Sequence, residues 1–196
     1  MNILIHDINN QEFERVFHNI SENNYIISDM GFIKNCIGCF GCWIKTPGKC
    51  VIKDGYENLG EIFSRADNII VVSECFYGGY SPFVKNILDR SISYLLPFFK
   101  IWNNETHHQK RYKNNFKFIS YFYGENITLA EMSAAKKLVS ANSINFSAAD
   151  YSVSFFESII QLSEEVNILW ILVLLTEALN QEKAQLNWWL NILFRL

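Results

Sequence analysis

No run of apolar residues in this chain reaches the roughly 20 that a bilayer core demands; the longest spans residues 168–175. The start of the chain is equally spare. Met1-Asn2-Ile3-Leu4-Ile5-His6 leads straight into a strand pattern, without the basic opening and long apolar stretch of a signal peptide. A basic face is missing too. Net charge is -3, the lysines and arginines are scattered, and Arg111, Lys113 and Lys117 read as a solvated loop. Nucleic acid is therefore not an expected partner. Repeats and low-complexity tracts are absent. Together these absences predict a cytoplasmic protein with no membrane span.

The chain has 196 residues, of which 49% are hydrophobic. That suits one α/β domain with a proper core and excludes both a disordered chain and two ordinary domains with a linker. Five cysteines in a reducing compartment point to metal, cluster or redox use, not to disulfides.

Periodicity predicts strands over 2–8, 25–28, 68–73, 116–123 and 145–156. The run Ile69-Ile70-Val71-Val72 does not alternate, so the third strand should be buried on both faces. Helices are predicted over 9–20, 54–66, 82–96 and 128–141, with Pro82 in a first turn and Pro97 as a stop. Thr128 and Glu131 form a capping-box pattern. Residues 100–115 read as a polar loop. Strands alternating with helices imply a parallel sheet, whose ligands bind beyond the carboxyl ends of the strands. The loops at 7–10, 74–81 and 123–126 belong to that rim, and the cysteine segment borders it.

Two stretches carry chemistry. Cys36, Cys39, Cys42 and Cys50 follow a C-x2-C-x2-C-x7-C spacing. It fits a [4Fe-4S] cluster, and thiolates suit iron or zinc; the cysteines are also readable as an unligated pocket wall. No histidine is close enough in sequence to enlarge the set. The second stretch is Phe76-Tyr77-Gly78-Gly79-Tyr80, an aromatic, glycine-rich turn after a buried strand. It reads either as a tight turn filled by aromatics or as a bed for a flat ring. Cys75 reads as a packed small residue, Asp89-Arg90 as a helix anchor, and His107-His108 as surface.

In combination, the cysteine segment, Pro47-Gly48-Lys49-Cys50-Val51-Ile52-Lys53-Asp54, Ala66-Asp67 before a β-run, residues 73–81 and residues 85–90 resemble the flavodoxin-like NAD(P)H-dependent FMN reductases. The cysteine spacing resembles that of iron–sulfur flavoproteins. The resemblance implies a flavodoxin-like three-layer α/β sandwich with a five-stranded parallel sheet over 1–157. It also implies bound FMN, NAD(P)H as electron donor, and a homo-oligomer, often a dimer. By the family pattern Ser73, Glu74, Cys75, Phe76, Tyr77, Gly78, Gly79, Tyr80 and Ser81 hold the isoalloxazine ring. Tyr123, Gly124 and Glu125 match the loop at its other edge. Two positions depart from the pattern. Glu74 stands where a proline is common. After the first strand, His6-Asp7-Ile8-Asn9-Asn10 lacks the glycines and hydroxyls of a phosphate loop, and Asp7 has the wrong charge for one.

The expected function is oxidoreduction through FMN to a small acceptor such as a quinone or nitro compound. The alternatives are a degenerate, non-catalytic flavodoxin-like module for partner binding and an iron–sulfur flavoprotein electron carrier. From 158 onward the chain reads as an atypical apolar helical tail, with Trp188-Trp189 and few charges. One account is a last helix with an oligomer contact. The other is a frameshift: residues 175–182, back-translated and read in a shifted frame, can give Asn-Gly-Ser-Pro-Lys-Pro-Arg, a phosphate-loop pattern. On that account, sequencing the gene locus should find a second flavodoxin-like frame downstream; its absence would dispose of the idea.

Overall fold

Strand and helix alternate as the periodicity predicts, in a computed structural model that describes residues 1–17 and 24–165. The order is β1 (Asn2–His6), α1 (Asn10–Val16), β2 (Asn24–Ile27), α2 (Gly41–Ile44), α3 (Leu59–Phe63), β3 (Asn68–Glu74) and α4 (Pro82–Arg90). A single 3-10 turn, Ser91–Tyr94, leads into β4 (Leu95–Trp102) and β5 (Glu105–Lys110). Then come β6 (Lys117–Tyr123), α5 (Leu129–Phe146) and β7 (Asp150–Phe156). The main sheet has five parallel strands in the order β2-β1-β3-β6-β7.

Each central strand feeds two cores. Ile3, Ile5, Ile69, Val71, Phe118 and Phe122 face one side with α3, α4 and α5. Leu4, Ile70 and Val72 face the other, against Phe13 and Phe17 of the α1 region and Leu162. This is the three-layer sandwich, and β3 is buried on both faces as its unalternating run requires.

Several boundaries differ from expectation for local reasons. The helix expected over 54–66 begins only at Leu59, because Asp54 is spent as an anchor and Gly55 is left-handed, with φ 87°. The helix expected to reach 96 stops at Arg90. The predicted polar loop is a β-hairpin, β4–β5, closed by Asn103 and Asn104 at φ 50° and 62°. Two left-handed residues in a row are what a two-residue hairpin turn needs. Pro97 ends nothing; it lies where the hairpin register slips, the place a strand tolerates proline. Helix α5 keeps the predicted capping box and runs on to Phe146, which shortens β7. Of the predicted tail, residues 159–165 are helical and the rest lies outside the described residues, as do 18–20 of the first predicted helix. No described helix is long and apolar enough to cross a membrane.

One buried ion pair fixes the cysteine segment to this frame. Arg90, at the end of α4, meets Asp54 with both terminal nitrogens, at 2.7 and 2.9 Å, and both side chains are buried. Arg90 also donates to the Lys34 carbonyl at 2.7 Å, and Asp54 accepts the Lys34 amide at 2.9 Å. One turn earlier on α4, Asn86 accepts from the Cys36 amide and donates to Asn35. Asp89, next to Arg90, pairs with exposed Lys85.

Two buried groups set the acid response. His6 stacks on Phe13 at 3.9 Å, and burial lowers its pKa to about 4. The unfolded chain takes up that proton below about 6.5, so stability should fall by roughly 3 kcal/mol between pH 6.5 and 4. Asp54, held at about 2 mainly by its bonds with Arg90, contributes stability above pH 4 that is lost as pH falls toward 2. Denaturant titrations across pH should show both windows, with Asp54→Asn removing only the lower one. Stability that stays flat from pH 7 to 4 would contradict the buried neutral His6.

Candidate active site

The carboxyl ends of β1, β3 and β6 meet at one corner, and a carboxylate ties them together. Asp7 follows β1. Its Oδ2 accepts from the Glu74 amide at 2.9 Å and lies 3.3 Å from the Ser73 hydroxyl. Its Oδ1 accepts from the Tyr123 hydroxyl at 2.8 Å. The Tyr123 pKa is raised, first by burial and then by Asp7. Ser73 Oγ also accepts from the Ser81 amide at 2.8 Å, closing the loop between β3 and α4. Ser81 caps α4 through the Val84 amide, with Pro82 in the first turn as expected.

Within that loop Phe76 and Gly79 exchange backbone hydrogen bonds, both at 2.9 Å. Tyr77 and Gly78 form the bend, at φ 51° and 76°. Tyr77 is a bulky residue in a left-handed conformation and is 86% exposed. Such strain costs about 1–2 kcal/mol, and it concentrates at functional positions. Tyr80 turns inward: it stacks on Phe122 at 5.1 Å and shares a hydrogen bond with Ser120, and burial pushes its pKa up to about 12.

Gly79 and Tyr80 form one wall of a cavity of about 850 Å³. The facing wall is the cysteine segment, including Cys36, Cys39, Phe40, Cys42, Trp43 and Cys50. The hairpin supplies Leu95 and His108; α5 supplies Leu138, Asn142, Asn145 and Phe146. A volume of this size with mostly apolar and aromatic walls suits a ring-bearing small molecule. The cysteine wall is held at both ends, by α4 at Cys36 and by Trp43 Nε1, which donates to the Leu95 carbonyl at 3.0 Å.

The four predicted ligand cysteines all line this cavity, and all are free thiols. The Cys42 pKa is raised, first by burial, then by Cys50, Cys36 and Cys39. Arg90 lies behind Cys50, a cation beside a thiol-rich wall. Among the described residues, no three metal-binding side chains converge on one ion position. Of the predicted ring-binding residues, only Gly79 and Tyr80 reach the cavity; Ser73, Glu74 and Tyr123 form the corner around Asp7. Cys75 and Gly124 lie between strands there, through bonds to the Tyr123 and Phe156 carbonyls. Glu125 is exposed.

Sequence reading missed the cavity's hairpin side. His107 is buried against Asn145, and His108 packs beside Trp43 and Phe99. Neither is a surface residue of a loop. The available signal was Asn103-Asn104, a pair that tolerates left-handed backbone, directly after the aromatic and β-branched run 98–102.

Gly78 is confined by more than its φ. A Cβ there would sit 2.9 Å from Ala134 Cβ and from the Glu131 carbonyl oxygen of α5. At Gly79 the nearest atom would be 3.4 Å away. Gly78→Ala should therefore cost about 2–4 kcal/mol of stability, and Gly79→Ala much less. Equal losses in chemical denaturation would show that the turn is not packed on α5 as described.

No protein-family model matches the chain. A segment of 56 residues is 41% identical to an iron–sulfur flavoprotein of Methanocaldococcus jannaschii; it makes up 29% of this chain and 28% of that protein's length. Two solved structures share the architecture. General stress protein 14 of Treponema denticola, solved in complex with FMN, superposes with a TM-score of 0.54 at 8% identity over 88% of this chain and 98% of its own. An NAD(P)H:quinone oxidoreductase of Methanothermobacter marburgensis does so with 0.51 at 12% identity, over 83% and 88%. With this strand order and these structural neighbours, the chain has a flavodoxin-like α/β fold.

Proposed function

We propose that the chain is a flavin-dependent NAD(P)H oxidoreductase that passes electrons to a small acceptor such as a quinone or nitro compound. One observation carries this reading: a strained aromatic turn at the strand rim opens onto an apolar, ring-sized cavity. In a flavin enzyme the ring carries the hydride, and the protein has to bind it, orient it and exclude competitors. Gly79 and Tyr80 would do so from the turn, with Phe40 and Trp43 from the cysteine segment. FMN itself fits in part. Its ring half suits the cavity; for its phosphate half, the loop after β1 offers no basic or glycine-rich cradle, and Asp7 there has the wrong charge. Exposed Phe98, Phe99, Ile101 and Trp102 on the hairpin support a homo-oligomer.

A second reading, an iron–sulfur flavoprotein, is favoured by the four cysteines on one cavity wall and by the 56-residue similarity. The donor set is soft and thiolate-based, as such a cluster needs.

Protein reconstituted with flavin and desalted should be yellow, and the visible band should bleach anaerobically on addition of NADH or NADPH. Colourless protein would overturn the reading in favour of a non-catalytic module. Iron and sulfide, measured after anaerobic purification, separate the two redox readings, since a plain reductase contains neither.

A further inference from the structure

In a sheet of this strand order the ligand crevice opens where the order reverses, between β1 and β3. Here that crevice is bridged by the chain's own carboxylate. Asp7 engages an amide, at Glu74, and a phenol, at Tyr123, with the Ser73 hydroxyl beside them. Amide and hydroxyl donors of this kind are the groups that would otherwise grip the oxygens of a bound anion.

The neighbourhood reinforces the charge. Helix α1 has only seven residues, and its first turn is already closed: Asn9 Oδ1 accepts the Glu12 amide at 2.9 Å and Asn9 Nδ2 donates to Glu12 Oε2 at 3.1 Å. Glu12 and Glu74 both lie near enough to Tyr123 to act on it along with Asp7, so three carboxylates share the corner. Arg15 meets Glu12 at 3.6 Å from the solvent side, where its side chain is 71% exposed. A phosphomonoester would bring a further charge of roughly -1.5 to -2 at neutral pH. The ring of a flavin is neutral and meets none of this at the cavity wall of Gly79 and Tyr80.

We propose that Asp7 is the specificity-determining residue of this site, and that it selects a flavin without the 5′-phosphate, such as riboflavin, over FMN. The inference rests on the flavin reading given above. Asp7 replaces the anion internally: it satisfies the rim donors, locks β1 to β3 and β6, and repels a phosphate.

Fluorescence titration of the full chain with riboflavin and with FMN tests this, in the wild type and in Asp7→Asn. Wild type should bind riboflavin at least about tenfold more tightly than FMN. The gap should narrow severalfold in about 0.5 M salt, because like-charge repulsion at a half-exposed corner is screened. Asp7→Asn should bring the two affinities within about threefold, mainly by tightening FMN. Asp7→Ser, which removes the charge and keeps a shorter hydroxyl at the corner, is the second variant, and melting curves check that both fold. If neither variant folds, the salt dependence of the wild type decides. FMN binding as tightly as riboflavin, a gap indifferent to salt, or a ratio unchanged in a folded variant overturns the inference and leaves the flavin reading standing. Failure of both flavins to bind the wild type overturns that reading, and the inference with it.

Discussion

The bidentate contact between Arg90 and Asp54 is what lets an irregular segment serve as a wall. Residues 28–40 contain no helix or strand, so their backbone groups need partners from outside. Asp54 and Arg90 supply them at Lys34, and Asn86 supplies them at Cys36, all referred to the rigid axis of α4. A buried ion pair brings little net stability when its desolvation is counted, yet removing one partner costs about 3–5 kcal/mol. Its contribution here is positional. Without it the cysteines would have no fixed distance from the aromatic turn, and the cavity would lose a side.

The rim follows the same logic with charge in place of packing. Parallel strands end at one edge with their last groups unpaired, and in this fold the edge is where ligands enter. Asp7 closes part of that edge from within. That closure is made by one side chain and the three groups it engages.

Much of this was legible in the residues. The sheet followed from apolar runs such as Ile69-Ile70-Val71-Val72, whose lack of alternation has a single structural meaning, burial on both faces. The capping box at Thr128 and Pro82 in the first turn of α4 are short-range signals, and they held. What did not show was anything decided by partners distant in sequence. Asp54 looks like a helix start until Arg90, thirty-six residues on, takes it as a buried counter-ion. His107 looks like surface until Asn145 covers it. The hairpin was hidden because its outward face mixes charge with aromatics, and because Pro97 mimics a stop while sitting in a bulge. The cysteines were visible at once, but spacing alone could not say that they line a cavity instead of enclosing an ion.

The hairpin has one more consequence, for motion. It stands apart from the five-stranded sheet, and side-chain hydrogen bonds clasp it to its surroundings: Trp43 to the Leu95 carbonyl, His107 to Asn145, Lys100 to Ser147. Each such bond contributes about 1 kcal/mol net. Swinging the hairpin outward would break these links and draw Leu95 from the core, but would break no pairing of the five-stranded sheet. The hairpin wall of the cavity thus depends on a handful of side-chain bonds, while the wall of Gly79 and Tyr80 follows a strand held by a continuous ladder of backbone pairs, so the two walls differ in how local their support is.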